Sequence, residues 1–348
     1  MRRRLLPILV IVPAVLLMTA SSAGACGGLV GENGTIQLTR TSTLAAQHNG
    51  VERYVTSFEF SGQGAEVGSI IPLPAIPTTV ERGGDWTLQR LAREVDPPRP
   101  LAATVAGDSA AFSKSAEVIL ETKIDALDIT ILKGGSDAVG QWAVEHGFLL
   151  TPDAPEVLAF YAQRSPIFMA ARFDAARARD LGQQSGDGTP IMLTIPTDDP
   201  WVPLRILALG QGKAKVVDAD VFLLTDDRPT LRTGGEGLAL RRSEPASPSL
   251  LDDLRSDKGM GWVPEHMWFT YLQVNAPARQ LDYDLAVSTH PGVIPSARAV
   301  GFNLPGGPPL REGDDTAATW WGAVLGAAAI ATLGVLRVRA ARKSTAGS

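Results

Sequence analysis

The stretch TSTLAAQHNGVERYVTSFEF, residues 41–60, decides the class of fold. Two β-prone runs, Thr41–His48 and Val51–Phe60, meet at Asn49-Gly50. Both turn residues tolerate positive φ, and a two-residue turn of that kind matches the twist of paired strands. The spacing therefore predicts a tight antiparallel hairpin. Val51, Tyr54 and Val55, then Phe58 and Phe60, give the second strand its apolar weight. Ser61–Gly64 turns the chain. Val67–Leu73 follows as a strand whose adjacent Ile70 and Ile71 predict burial on both faces. Pro72, Pro74 and Pro77 then remove ladder donors, so the chain leaves the sheet as an extended arm.

Further along, Asp85 is an N-cap candidate, and Trp86, Leu88, Leu91 and Val95 have the mixed three- and four-residue spacing of a short amphipathic helix. Pro97, Pro98 and Pro100 stop it. Val118–Leu132 reads as one long strand or two short ones. Ser136 or Asp137 caps a helix through Glu145, which His146-Gly147 closes. A second helix runs over Pro155–Gln163. Strands are expected at Pro166–Phe173, Ile191–Ile195, Val202–Leu209 and Lys215–Leu224, with a polar, Gly-rich loop over Arg177–Gly188. Thr230–Ser247 reads as irregular and marks a candidate internal boundary near 230–247. Ser249–Leu254 reads as a short helix, and Met267–Val274 and Leu281–Ser288 as a closing strand pair. The fold class is α+β: mostly antiparallel sheet with two or three flanking helices.

The two ends point to the membrane. Arg2–Arg4, the apolar run Leu5–Met18 and Ala23-Gly24-Ala25 form a signal peptide over residues 1–25. Residues 317–336, AATWWGAVLGAAAIATLGVL, carry no charge. At 1.5 Å per residue they span the roughly 30 Å core of a bilayer. Arg337, Arg339, Arg342 and Lys343 follow in the tail 337–348, and Trp320 and Trp321 mark the outer edge. By the positive-inside rule the tail is cytoplasmic. Residues 26–303 are then an extracytoplasmic domain, joined by a Gly/Pro-rich stalk over 304–316 to a C-terminal transmembrane helix. Gly322 and Gly326 lie four apart on that helix, a spacing that lets two spans approach closely, so they are a candidate face for a homodimer through the span; the alternative is the ordinary abundance of small residues in spans.

Between leader and tail, 25 basic residues face 37 acidic ones. That balance argues against nucleic acid as a partner. The single cysteine, Cys26, becomes the first mature residue. It excludes an intramolecular disulfide and is a candidate for lipidation, although Ala23 stands where a lipoprotein signal prefers Leu. The four histidines, His48, His146, His266 and His290, form no metal-binding spacing, and no Gly-x-Ser-x-Gly elbow or phosphate loop occurs. No cofactor is implied.

Carboxylates recur in pairs. Asp218/Asp220 and Asp282/Asp284 stand at alternate positions, about 7 Å apart on one strand face. An inverting glycosidase separates its carboxyls by roughly 6.5–9.5 Å, so these four are the candidate catalytic residues. The intervening Val217/Ala219/Val221 and Leu281/Tyr283/Leu285 are apolar, which favours a solvated outer face instead. The aromatics Trp262, Trp268, Phe269 and Tyr271 are a ligand platform if exposed and core if not, and core is the expectation.

A family resemblance rests on particular segments. These are Ala25-Cys26-Gly27-Gly28, the run from Ser69 to Pro77, Gly135–Phe148, Ala159–Phe173, and Pro190–Leu209 with Pro203-Leu204-Arg205. Over roughly residues 25–225 the chain resembles the bacterial domain-of-unknown-function family 2330. Many members carry a second Cys five positions after the first; here that position is Gly31. The family has no agreed activity, so the resemblance implies an exported, surface-held domain and adds no chemistry. The expected function is a non-enzymatic domain that binds an envelope component or a partner protein. The alternatives are an envelope hydrolase using paired carboxylates and an accessory subunit of a membrane complex.

Overall fold

The computed structural model describes residues 23–24, 28–31, 40–58, 66–95, 116–148, 150–182, 189–198 and 200–310. The leader apart from Ala23–Gly24, Cys26, residues 311–316 of the stalk, the apolar stretch 317–336 with Gly322 and Gly326, and the basic tail lie outside the described residues. Among the described residues no helix is long and apolar enough to cross a membrane.

The Asn49-Gly50 hairpin forms as its turn chemistry dictates. Arg40–His48 and Val51–Phe58 pair antiparallel, with φ of 52° at Asn49 and 72° at Gly50. It sits in the middle of an eight-stranded sheet. On one side lies Thr189–Pro196, then the edge strand Thr79–Arg82. On the other lie Val216–Thr225, Trp268–Pro277 and Leu238–Pro245. Pairing is antiparallel except where Ala23–Gly24 and Val216–Thr225 each run parallel to Arg40–His48. A second sheet of five strands orders Gly28–Gly31, Glu66–Leu73, Ile167–Asp174, Leu127–Lys133 and Glu117–Ile124. A third joins Trp201–Val202, Leu285–Ser288 and Thr230–Arg232.

Alternation along the strands sorts the side chains into layers. Ala45, Tyr54, Leu193, Val221 and Leu272 on the large sheet share one core with Ile71, Ile129 and Met169 of the second sheet and Val202, Leu285 and Val287 of the third. The opposite face of the large sheet, with Leu44, Val55, Met192, Phe222 and Phe269, is covered by helices α1 (Thr87–Val95) and α5 (Pro248–Ser256). The outer face of the second sheet, with Ile70, Leu132 and Phe168, is covered by α2 (Ser136–Glu145) and α3 (Ala154–Ala162). The order is helices, large sheet, second sheet, helices. Ile70 and Ile71 fall into different cores, as an unbroken apolar pair in a central strand should.

Several expectations are corrected. Five helices occur among the described residues rather than two or three; α4 (Ala175–Asp180) falls where a loop was expected and is capped by the Asp174 carboxylate accepting from Arg177 N. Residues 230–247 are not irregular. Leu238–Pro245 pairs along Trp268–Pro277 with a bulge near Leu240, and Thr230–Arg232 pairs with Leu285–Ser288. Of the supposed strand Val202–Leu209 only Val202 is strand, as the second residue of Trp201–Val202, because Pro203 offers no donor and the next residues turn into a 3-10 helix at Arg205–Ala208. Met267–Val274 and Leu281–Ser288 do not pair with each other; their observed strands, Trp268–Pro277 and Leu285–Ser288, belong to different sheets.

Candidate functional site

The Asp282/Asp284 pair is not on a strand, since Leu285–Ser288 begins after it. Asp284 is instead turned inward and is fully buried. Its Oδ1 accepts from Tyr161 Oη at 2.8 Å, Leu204 N at 2.7 Å and Arg205 N at 3.0 Å. Its Oδ2 accepts from Arg164. Pro203 starts this arrangement, because the chain must turn there and the two following amides point at one carboxylate. The Tyr161 hydroxyl in turn accepts from Ile206 N at 2.9 Å. The Arg164 guanidinium lies 3.6 Å above the Trp201 ring.

Burial pushes the Asp284 carboxyl up and the Arg164 guanidinium down, while their mutual attraction and the donors on Asp284 act the other way. Four donors and no acceptor around one carboxylate is the shell of the ionised form, so the pair is a buried ion pair. Beside it, Arg205 reaches Glu156 Oε1 at 2.5 Å and the Pro305 carbonyl at 2.9 Å, with Phe160 under its guanidinium. Asp284 N donates to Val300 O. The cluster binds α3, the 3-10 turn and the segment up to residue 305 into one unit. Asp282, partly buried, is raised by burial, with Arg205 opposing.

Asp218 and Asp220 do share a strand face, but it is the face toward α1 and α5, not a solvated one. Asp220 is buried and accepts from Tyr271 Oη at 2.8 Å. Asp218 is partly buried, with one oxygen inaccessible to solvent. The solvated-face expectation therefore fails for both Asp220 and Asp284. Alternation placed Asp220 correctly opposite apolar neighbours, yet its "outer" side is covered by other elements; Asp284 precedes the strand Leu285–Ser288 and is turned inward. In neither pair do two carboxylates stand open to a water and a substrate together.

The aromatic group is core: Phe269 and Tyr271 are buried and stack against Phe222, while Trp268 donates to Ser243 Oγ and Arg53 lies over Trp262. The histidines serve locally. His48 Nδ1 meets Asp226 Oδ1 at 2.5 Å, and His146 stacks on Trp142 at 3.8 Å and bonds its carbonyl. His266 and His290 are exposed. Among the described residues no group of three His, Cys, Asp or Glu side chains is placed to hold a metal.

Sequence reasoning missed Tyr161, Arg164 and Arg205, because only the fold brings three distant segments to Asp284. It also missed Glu52, a fully buried carboxyl with neither oxygen hydrogen-bonded. The hairpin register could have flagged it, since Asn49-Gly50 sets Glu52 directly across from another polar side chain, Gln47.

No curated protein matches the sequence. Among solved structures, the chain is similar to the crystal structure of baculovirus P35, with 10% identity and a TM-score of 0.36 over 74% of this chain and 95% of that one. A mutated baculovirus P35 after caspase cleavage matches with 9% identity and a TM-score of 0.37, over 72% and 96%. A family model described as an uncharacterized protein conserved in bacteria, DUF2330, matches residues 20–239. That match covers more than half of the 348 residues, and the chain belongs to this family.

Proposed function

We propose that this protein is a membrane-anchored, extracytoplasmic domain that works by binding an envelope component or a partner protein, not by catalysis. The observation that carries the non-enzymatic part is the state of the paired carboxylates. Asp284 has both oxygens engaged by structural donors in a dry interior, and Asp220 is buried against Tyr271. A general base needs a free lone pair within reach of the proton it removes. An inverting pair also needs an open gap for water. The anchoring part rests on residues 1–25 and 317–336 as read in the sequence, with Cys26 as the acylation candidate if a lipoprotein peptidase cuts before it.

The test has two arms. Protease added to intact cells or protoplasts should digest the body of the protein while a tag placed after Ser348 survives; a protected body refutes the topology. Purified full-length protein incubated with cell-envelope polymers should release no soluble fragments. Release that disappears in Asp218→Asn or Asp282→Asn would establish the hydrolase instead. An accessory-subunit role appears as one reproducible crosslinked membrane protein in native membranes.

A further inference from the structure

Among the described residues, Glu52 is a buried carboxyl that the fold leaves unexplained. It is 0% exposed, and neither carboxyl oxygen has a hydrogen-bond partner. Gln47, directly opposite in the antiparallel register, is nearly as buried, and its Oε1 is also without a partner. Its Nε2 donates to the Thr197 carbonyl at 2.5 Å. A carbonyl can only accept, so the amide group must face Thr197 and the amide oxygen must face elsewhere. Opposed residues in such a ladder hold their Cβ atoms about 5 Å apart on the same sheet face. The Glu52 carboxyl and the Gln47 amide oxygen thus share one face of a buried layer, with the Tyr54 hydroxyl two residues along the same strand. An ionised Glu52 would be repelled by Gln47 Oε1, whereas a neutral acid supplies the missing hydrogen.

We propose that Glu52 is a proton-binding site: as the neutral acid it donates to Gln47 Oε1, and loss of its proton to solvent loosens the end of the 40–58 hairpin where Thr197 crosses it. The surroundings favour the neutral form. On its own strand the titratable neighbour on the same face is Tyr54. On the flanking strands the same face carries Gln47, Ala45, Ile195 and Leu193. The other sheets contribute apolar side chains to this core, including Val202, Leu204, Leu285 and Val287. The nearby charged groups, His48 with Asp226 and Asp198 beside Gly50, stand at the turn itself. Burial is the one cause acting on Glu52, and it lifts the carboxyl from 4.5 to about 8.

The mechanical link runs through Thr197, whose amide donates to Gly50 O and whose carbonyl accepts from Gln47. The chain then passes to Pro200, whose carbonyl receives Val287 N of the third sheet. A charge at Glu52 therefore acts on the crossing between two sheets. For a carboxyl raised on folding, the sign is fixed. Stability is full below about 4.5, falls through the interval, and levels off above about 8. Within that interval the unfolding constant rises about tenfold per pH unit.

The experiment uses the full chain. Infrared difference spectra, wild type minus Glu52→Gln at pH 6, should show a protonated-carboxyl band that disappears with a midpoint near 8. In Gln47→Met the same band should move to higher frequency, because the acid has lost its acceptor. A null difference at pH 6 overturns the proposal, and an unmoved band in Gln47→Met overturns the Gln47 assignment. Wild-type hydrogen exchange decides the matter if the variants do not fold. After correction for intrinsic rates, protection of the Thr197 amide should drop about tenfold per pH unit from pH 6 up to about 8, where opening lets Glu52 ionise, and level off above that. Constant protection between pH 6 and 9 overturns the proposed link.

Discussion

Replacing Asp284 by Ala removes the carboxylate on which four donors converge. It leaves the Arg164 guanidinium, 9% exposed, without its partner above Trp201, and leaves Tyr161 Oη and the amides of Leu204 and Arg205 without an acceptor. Breaking one side of a buried pair costs about 3–5 kcal/mol because the remaining charge stays desolvated. Each stranded buried donor adds about 1–3 kcal/mol where no water can enter, and these terms overlap. The expected loss is about 5 kcal/mol, a large share of the ~5–15 kcal/mol that holds a domain together. Urea unfolding followed by tryptophan fluorescence measures it, with Trp201 as a local reporter. Asp284→Asn keeps an oxygen for Tyr161 and the amides but loses the charge, and should fall between the two. Arg164→Met combined with Asp284→Ala removes both charges and should be less destabilised than the two single losses added together. An Asp284→Ala protein within about 1 kcal/mol of wild type, or strict additivity in the cycle, refutes the claim that this cluster ties α3 to the C-terminal segment.

Other consequences follow from the same geometry. Asp257 sits 170 residues from α1 in sequence, yet accepts from Asp85 N, Trp86 N and Thr87 Oγ1; Asp257→Ala should cost about 1–2 kcal/mol in urea unfolding, as loss of a helix cap does. Burial alone would raise its carboxyl, but these donors hold it below the ordinary 3.8, so its contribution is present above that value and is lost as pH falls through the lower folded value. The difference between wild type and Asp257→Asn should therefore shrink between pH 5 and pH 3. For the span, a membrane association assay on the full chain should give a weaker dimer signal for Gly322→Ile and Gly326→Ile; equal signals from all three proteins remove the motif.

What was legible in the sequence is local. Asn49-Gly50 carries its own turn geometry, and Ile70-Ile71 announces a strand covered on both sides. α2 closes at His146-Gly147 as those residues announce, but its start does not follow from them: Gly135, not Ser136 or Asp137, stands at the N-cap, and no side chain bonds there. What was not legible depends on partners far along the chain. Asp85 looks like the cap of α1, but the two amides just before that helix and the Thr87 hydroxyl at its start are met by Asp257, which nothing nearby in the sequence announces. Thr230–Ser247 looks irregular because its charged and small residues lack alternation. They lie at or near the sheet margin, where a strand needs only one partner ladder and exposes much of its surface.

The carboxylates show the limit most sharply. Alternating Asp and apolar residues has two meanings, a strand with one wet face or a strand whose polar face is covered and bonded. The choice is made by what packs on that face. For Asp220 it is the α1/α5 layer with Tyr271; Asp284 falls outside both meanings, since it precedes the strand Leu285–Ser288 and is turned inward to Tyr161, Arg164 and two amides released by the turn after Pro203. Glu52 poses the same ambiguity with the opposite result. Two polar residues opposed on one rung, Glu52 and Gln47, suit a solvated face, but the sheet packed over them makes Glu52 the one carboxyl in the described residues that is fully buried with both oxygens unbonded. Buried carboxyls met by donors are structural, and a buried carboxyl met by an acceptor must hold a proton. That distinction turns on which atoms face the carboxyl, and it separates Asp284, a fixed tie, from Glu52, a group whose charge depends on the medium.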